Sequence, residues 1–282
     1  MKYKADELFN KKSRVWEVDF LRGLAILLMC FDHLCFDLGF MDGFFVRFDY
    51  TNDTLLSLMR FGYQVYFSKW RNILHYIFAT AFLLMTGISC EFTKKSGLRV
   101  VQTFLVAIIL SLSTALLEKA MGMTLFISFG VIHAIAFSQL FCYLFDKVSK
   151  NRYLHLVLGT VIIVAGFAIE WYNAPWVALP PTADWGSEQT ISRFLEVMLG
   201  FKRAGGDHFG LIPCMGVVLV GAYIGKAFYS ERKSLLPRLD GAWNKVFCAV
   251  GRHTVWIYLA HQVLIAGIIL LIGVCFGLEV AL

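Results

Sequence analysis

The sequence predicts an all-α fold, a polytopic membrane helix bundle, and two observations support this prediction. Hydrophobic residues make up 58% of the 282-residue chain and charged residues only 16%, whereas a soluble domain is about half apolar and about a quarter charged. The apolar residues are also concentrated in long stretches, and a membrane-spanning helix needs about 20 of them. Because lipid offers backbone amides no hydrogen-bond partner, these stretches are expected to be helices.

Seven stretches meet or approach this length, so we expect about seven transmembrane helices within a single domain that covers residues 1–282. The last stretch is long enough to begin with an interfacial turn near the sequence GRHT at residues 251–254. The stretches are Val15–Phe40, Asn72–Cys90, Leu98–Leu117, Thr124–Phe145, Tyr153–Glu170, Phe209–Phe228 and Val246–Phe276.

Lysine and arginine in the connecting segments predict the orientation. With the N-terminus inside, the inner segments carry sixteen of these residues and the outer segments carry eight. Cytoplasmic loops of membrane proteins are enriched in Lys and Arg, so we expect an N-inside, C-outside topology. The net charge of +6 therefore marks membrane topology and does not indicate a nucleic-acid partner.

Two outer segments are long. Residues 41–71 contain TNDTLLSLMRFGYQVYF, a pattern typical of a short amphipathic helix that lies on the membrane. Residues 171–208 concentrate aromatic side chains, which fit either an aromatic belt at the membrane interface or a stacking platform for a sugar or another ring-faced substrate. The aromatic residues are Trp171, Tyr172, Trp176 and Trp185.

Cysteine spacing gives no sign of a metal site or of a disulfide framework. The seven cysteines form no CxxC pair, and all lie in or beside apolar stretches. We therefore expect small core or lipid-facing residues and no bound metal.

The first span carries ionisable residues that are expensive in lipid and that usually face the bundle interior. Steps of three and four residues place Asp19, Arg22, His33 and Asp37 on one helical stripe. Arg22 and His33 lie eleven residues apart, which is about 16 Å along a helix. Asp19 is placed to pair with Arg22, and Asp37 is placed to hold one ring nitrogen of His33 and leave the other free to take a proton. Asp32 points about 100° away from His33 and is a weaker partner.

Two further histidines lie within apolar stretches. We expect His133 about nine residues inside the fourth helix, at a depth comparable to that of His33. His261 shares a face of the last helix with Tyr258 and Thr254. A satisfied core residue is the common explanation for a single buried histidine, but three in separate helices indicate a shared cavity.

Several motifs together resemble the bacterial transmembrane proteins related to the catalytic domain of heparan-α-glucosaminide N-acetyltransferase. The resemblance covers most of the chain, and the first and last motifs are fairly specific in combination. The chain departs from the family pattern at Cys214 and Val263, where the family has Trp and Pro. The motifs are RVWEVDFLRGLAILLMCFDHLCFDLGF, FLLMTGISCEF, ISFGVIHAIAFSQL, DHFGLIPCMGVVLVGAYIGK and GRHTVWIYLAHQVLI.

The spacing from Arg22 to His33 also resembles the R-x10-H motif of membrane O-acyltransferases that modify bacterial surface sugars. The animal heparan enzyme has Asn where this chain has His33, so the catalytic roles of that enzyme do not transfer directly. Both families belong to one proposed group of transmembrane acyltransferases. Acyl-CoA is the usual donor in this group, and the acceptor lies on the far side of the membrane.

The resemblance therefore implies an acyl-CoA-dependent transmembrane acyltransferase in the bacterial cytoplasmic membrane. Acetyl-CoA or another acyl-CoA is the expected donor, and a sugar or glycan hydroxyl or amine is the expected acceptor. His33, oriented by Asp37, is the expected base, while Arg22, steadied by Asp19, is expected to meet the phosphates of CoA. The residues expected to line the substrate pocket are His133, His261, Tyr258 and Thr254.

Other functions stay open at this point. Membrane histidines and carboxylates also form proton relays, so a small-molecule or proton-coupled transporter is the alternative; the absence of an inverted repeat in the sequence argues against it. A non-catalytic membrane partner is a third alternative. The sequence leaves open the acceptor, the acyl length and the choice between direct transfer and an acyl-His33 intermediate. It also leaves open the oligomeric state, for which a homo-oligomer is one alternative.

Overall fold

A computed structural model describes residues 14–92, 96–121, 126–173, 191–202 and 208–281. Within these ranges the chain forms ten α-helices and short 3₁₀ turns, which confirms the all-α prediction. The helices are α1 (Trp16–Gly39), α2 (Asp53–Tyr66), α3 (Lys69–Glu91), α4 (Ser96–Met121), α5 (Val131–Val148), α6 (Arg152–Asn173), α7 (Ile191–Leu199), α8 (Leu211–Phe228), α9 (Lys245–Arg252) and α10 (Thr254–Cys275). The 3₁₀ turns are Met41–Phe44, Pro237–Leu239 and Ala242–Asn244.

Six of the described helices are long and apolar enough to cross a membrane, namely α3, α4, α5, α6, α8 and α10. Helix α1 has 24 residues and is about 36 Å long, which is also sufficient for a span. Its charged side chains distinguish it from the other six, so the seventh span stays a prediction. Of the aromatic residues predicted in the second long outer segment, Trp176 and Trp185 lie outside the described residues, and Trp171 and Tyr172 lie at the end of α6, where only the backbone is described.

Two predicted spans differ most from the helices of the structure. The fourth begins at Val131, seven residues later than expected, because Gly130 is extended and caps the helix. His133 therefore lies in the first turn of α5, and its predicted position nine residues inside the helix is wrong. The last predicted span is divided at His253 into α9 and α10, so a helix break does fall within GRHT.

The chain divides into two compact units. The terminal unit comprises Met1–Phe82 and Lys233–Leu282, and the central unit comprises Leu83–Arg232. The single domain predicted for residues 1–282 stays a prediction.

Glycines let α1 approach two neighbouring helices of the terminal unit closely. A Cβ at Gly251 of α9 would overlap the carbonyl oxygen of Asp19 on α1. A Cβ at Gly39 of α1 would lie 2.9 Å from the backbone nitrogen of Tyr63 on α2. Small residues at such crossings allow backbones to meet where larger ones would separate them.

The apolar core of the terminal unit joins the end of α1 to α2, to α10 and to the C-terminal segment. The segment after α10 also pairs with the turn after α1, because the backbone nitrogen of Val46 donates to the Glu279 oxygen at 2.9 Å. The buried core residues are Leu38, Met41, Phe45, Leu55, Ile265, Ile269 and Leu278.

Helix α2 confirms the short helix predicted in the first long outer segment. Its N-cap is Asn52, whose side-chain oxygen accepts hydrogen bonds from the backbone nitrogens of Thr54 at 3.0 Å and Leu55 at 3.2 Å. Asparagine is among the best N-cap residues, because its side chain satisfies amides that the helix leaves unpaired. The location of α2 on the membrane surface stays a prediction.

Glycines also set the packing of the central unit around α8. A Cβ at Gly216 of α8 would lie 2.7 Å from the carbonyl oxygen of Gly159 on α6. A Cβ at Gly221 would overlap the carbonyl oxygen of Leu84 on α3. Apolar side chains of α4 and α6 stay exposed, as for Leu112 at 60% and Val164 at 62%.

Candidate functional site

Two imidazole rings meet where α1 packs against α10 in the terminal unit. The ring centroids of His33 and His261 are 4.9 Å apart, and the ring planes lie at 80° to each other. His33 is half-buried, whereas His261 is only 9% exposed. The structure thus brings together two of the histidines that the sequence assigned to one pocket.

Backbone contacts fix the tautomer of both rings. The Nδ1 atom of His33 lies 3.0 Å from the carbonyl oxygen of Met29, and that of His261 lies 2.6 Å from the carbonyl oxygen of Tyr258. A carbonyl oxygen has no proton to donate, so each Nδ1 carries the hydrogen. Each neutral ring therefore keeps a lone pair on Nε2, and the Nε2 of His261 is buried without a hydrogen-bond partner among the described residues.

The structure corrects the partner expected for His33. Its ring is oriented by the Met29 carbonyl, while the Asp37 Oδ2 atom accepts a hydrogen bond of 2.6 Å from the side-chain nitrogen of Gln262. Side chains at positions i and i+4 of a helix can meet, but here the His33 ring takes a backbone carbonyl of its own helix and the Asp37 carboxylate takes the Gln262 amide of α10. Asp37 is 4% exposed, and its hydrogen bond ties α1 to α10 beside the two rings.

The other end of the stripe holds Arg22, which is half-buried on α1 about 16 Å from His33 along the helix. Asp19 forms an ion pair with Arg14, whose Nη1 atom lies 3.6 Å from the Asp19 Oδ2 atom. The role predicted for Asp19 beside Arg22 stays a prediction.

Two further residues assigned to the pocket lie on α10. Tyr258 is buried, and its ring centroid is 5.6 Å from that of His261. Thr254 is half-buried in the first position of the helix. The spacing of these residues keeps all three on one face of α10, as the sequence predicted.

His133 occupies a different setting in the central unit. Its Nδ1 atom accepts a hydrogen bond from the backbone nitrogen of Gly130 at 3.2 Å, so this atom carries a lone pair. Its Nε2 atom lies 3.0 Å from the hydroxyl of Ser111, which donates its own proton to the Ile127 carbonyl. Both nitrogens of His133 are thus engaged in holding the start of α5.

A charged cluster beside His33 is the feature that sequence reasoning missed. Arg71 of α3 makes two hydrogen bonds to Asp32, one to each carboxylate oxygen, and its guanidinium lies 4.1 Å above the Tyr66 ring. The Nδ1 atom of His75 lies 3.5 Å from the same carboxylate. This cluster ties α1 to α3 one residue away from His33.

A sequence signal for this cluster did exist. Arg71 and His75 are spaced i, i+4 and so share one face of a helix. The predicted span begins only at Asn72 and leaves Arg71 in the outer segment 41–71, whereas α3 begins at Lys69 and contains both residues.

Comparison with known protein families identifies the chain. The family model described as heparan-alpha-glucosaminide N-acetyltransferase, catalytic, matches residues 14–67 and 51–263, which together span well over half of the chain. The chain belongs to this family. No curated protein and no solved structure matches it.

Membership in the heparan-α-glucosaminide N-acetyltransferase family gives the protein a transmembrane acetyltransferase-like function. The family uses acetyl-CoA as donor. Within the described ranges, no three His, Cys, Asp or Glu side chains come together as metal ligands. The matched residues include both histidines of the α1–α10 contact.

Proposed function

We propose that the protein transfers an acetyl or other short acyl group from acyl-CoA to a hydroxyl or amine acceptor, with a sugar as the acceptor class. The observation that carries the proposal is the pair of imidazoles His33 and His261, each with its proton fixed on Nδ1 and a lone pair on Nε2. Acyl transfer needs such a base to take the acceptor's proton. Family membership supplies the reaction class.

The proposed reaction begins at the Nε2 atom of His33. This atom takes the proton of the acceptor hydroxyl or amine while the acceptor oxygen or nitrogen bonds to the thioester carbon. The resulting tetrahedral species collapses, the carbon–sulfur bond breaks, and the CoA thiolate takes the proton from the His33 imidazolium. Asp37 lies one turn further along the same face of α1 and would stabilise the imidazolium while it exists.

His261 is proposed to position the acceptor. Its Nε2 atom is an acceptor-only group in a buried place, so it is suited to take a hydrogen bond from a second hydroxyl of a sugar. Tyr258 and Thr254 lie on the same face of α10 and would contribute further polar contacts. His133 stays a prediction as a pocket residue, since a substrate contact would replace one of the bonds it already makes.

Arg22 is proposed to bind the phosphates of the donor, because a guanidinium recognises phosphate oxygens through two parallel hydrogen bonds. With the N-inside orientation predicted from Lys and Arg, this residue lies near the cytoplasmic face, where acyl-CoA is made. The acceptor then lies on the extracytoplasmic side of a bacterial cytoplasmic membrane. The distance of about 16 Å between Arg22 and His33 suits the extended pantetheine arm.

The test compares His33→Ala with His253→Ala, a control that removes an exposed histidine at the α9–α10 break. Acetyl-CoA turnover is measured on the purified protein with a panel of amino sugars and sugars. His33→Ala is expected to lower turnover by about 10²–10⁴-fold with acetyl-CoA binding retained, and the control is expected to keep wild-type turnover. Full turnover by His33→Ala would show that the assigned base is wrong.

Arg22→Ala is tested with two donors, acetyl-CoA and the phosphate-free N-acetylcysteamine thioester. Loss of turnover with acetyl-CoA alone supports the phosphate contact, whereas equal effects on both donors contradict it. Intact-protein mass spectrometry after mixing with acetyl-CoA alone distinguishes direct transfer from an acyl-His33 intermediate. Direct transfer predicts no added acetyl mass on the protein.

A further inference from the structure

The side-chain amide of Gln262 contacts the carboxylate that lies beside the two imidazoles, and the proposed reaction gives this amide no role. Its Nε2 atom lies 2.6 Å from the Asp37 Oδ2 atom, although the two residues are 225 positions apart in the chain. Gln262 directly follows His261 on α10, and Asp37 lies one turn after His33 on α1. The contact between α1 and α10 therefore contains two neighbouring pairs, one of two imidazoles and one of a carboxylate with an amide.

Burial makes this hydrogen bond important for the charge of Asp37. The residue is buried, and a carboxylate withdrawn from water keeps its charge only where hydrogen-bond donors replace the lost water. Among the described residues, Gln262 is the one side chain that donates a hydrogen bond to Asp37. The amide thus supplies a donor that the buried anion needs.

The chemical nature of the donor matters as well. An ionised carboxylate only accepts hydrogen bonds, so the NH₂ group of Gln262 faces Asp37 and the amide oxygen faces away. An amide is neutral and therefore leaves the negative charge of Asp37 uncancelled. The other buried aspartate of α1 differs, because the guanidinium of Arg71 pairs with Asp32 and largely cancels its charge.

The uncancelled charge of Asp37 lies close to the proposed base. Residues four apart on a helix have Cβ atoms about 5–6 Å apart, so Asp37 is within electrostatic range of His33 even though the His33 ring hydrogen-bonds to Met29. A negative charge at this range stabilises an imidazolium more strongly in a buried place than in water.

We propose that Gln262 is a positioning residue for the transfer: as a neutral donor it holds Asp37 in its charged form beside His33. The imidazolium that forms when His33 takes the proton of the acceptor is then stabilised by this charge. Gln262 acts through Asp37 and needs no contact of its own with the substrate. This inference rests on the proposed function.

The experiment uses the full-length protein and compares a single variant with an exchange variant. Gln262→Leu removes the donor. Asp37→Asn/Gln262→Glu exchanges the carboxylate and the amide, which rebuilds the hydrogen bond between α1 and α10 but moves the charge to α10. The control is Gln64→Leu, at an exposed glutamine of α2 in the same unit. Steady-state acetyl transfer to the sugar panel and thermal unfolding are measured for every variant.

Gln262→Leu is expected to lower kcat by about 10–100-fold, with an unchanged KM for acetyl-CoA, because a hydrogen bond to a charged group is lost. The exchange variant is expected to keep the Tm of the wild type and to show a similar loss of kcat, since the charge no longer lies one turn from His33. The control is expected to keep both wild-type values.

Two results would overturn this inference alone. The first is wild-type kcat in Gln262→Leu. The second is full recovery of kcat in the exchange variant, because the hydrogen bond would then serve only to join the two helices. Wild-type kcat in His33→Ala would instead overturn the proposed base, and absence of transfer by the wild type would overturn the proposed function together with this inference.

Discussion

Replacement of Asp32 by Asn tests whether the cluster beside His33 is a buried ion pair. Asp32→Asn keeps the shape of the side chain but removes the charge that both guanidinium contacts of Arg71 need. The side chains are only 8% and 15% exposed, so water does not replace the lost partner. Loss of one partner of such a buried pair costs about 3–5 kcal/mol, because the other charge stays buried and uncompensated.

A surface ion pair of the same chain supplies the matched control. The Nζ atom of Lys202 lies 2.7 Å from the Glu196 carboxylate, but the two side chains are 58% and 42% exposed. Exposed pairs contribute about 0–1 kcal/mol, so Glu196→Gln is expected to have a small effect. The contact is short in both pairs, and burial alone separates the two expectations.

The assay is thermal unfolding of each purified variant in the same detergent, with circular dichroism to verify helical content at low temperature. In a protein of this size, about 1 kcal/mol corresponds to about 2–4 °C in Tm. Asp32→Asn is therefore expected to lower the Tm by about 6–20 °C, and Glu196→Gln by at most about 4 °C. The double variant Asp32→Asn/Arg71→Met is expected to be more stable than Asp32→Asn, because it leaves no buried charge without a partner.

Two results would refute this reasoning. If Asp32→Asn lowers the Tm no more than Glu196→Gln, burial does not govern the cost of losing the carboxylate. If the double variant is less stable than Asp32→Asn, the packing of the Arg71 side chain contributes more to stability than its unpaired charge costs.

Two further predictions concern helix packing and thiol reactivity. Gly251→Ala is expected to destabilise the protein by about 1–3 kcal/mol, because its methyl group would overlap the Asp19 carbonyl. The control Gly267→Ala places its methyl group in open space and should leave the Tm unchanged. Equal Tm values for the two variants would contradict the close α1–α9 contact. Burial raises the pKa of the Cys248 thiol, so at pH 7.5 less thiolate is present and maleimide should label it more slowly than the exposed Cys275 in peptide mapping. Raising the pH should accelerate the Cys248 reaction, and labelling as fast as that of Cys275 at pH 7.5 would show that its thiol is not shielded.

Local sequence patterns predicted most of the helices. Long apolar stretches placed the six apolar helices of the described ranges, and the turn residues of GRHT placed the break before α10. The start of α5 could not be obtained in this way, because Gly130 and His133 cap the helix inside a stretch that stays apolar on both sides. Hydropathy does not register a cap, so the predicted span began too early.

The candidate site was only partly predictable for a similar reason. Periodicity placed Arg22, His33 and Asp37 on one stripe, but the partner of each side chain depends on its rotamer and on the helix packed against it. His33 leans back to the Met29 carbonyl, and Asp37 meets Gln262 from a helix 225 residues away in the chain. Neither contact has a signature in the spacing of residues along one helix.

The sequence by itself determined a helical membrane protein of the acetyltransferase type with a cation and an imidazole on one helix face, since these properties follow from composition, periodicity and motif. The tertiary structure alone decided that His261 lies against His33 and that Asp32 pairs with Arg71. The physical reason is that hydropathy selects which segments become helices, whereas the close contacts of specific glycines and side chains select which helices meet.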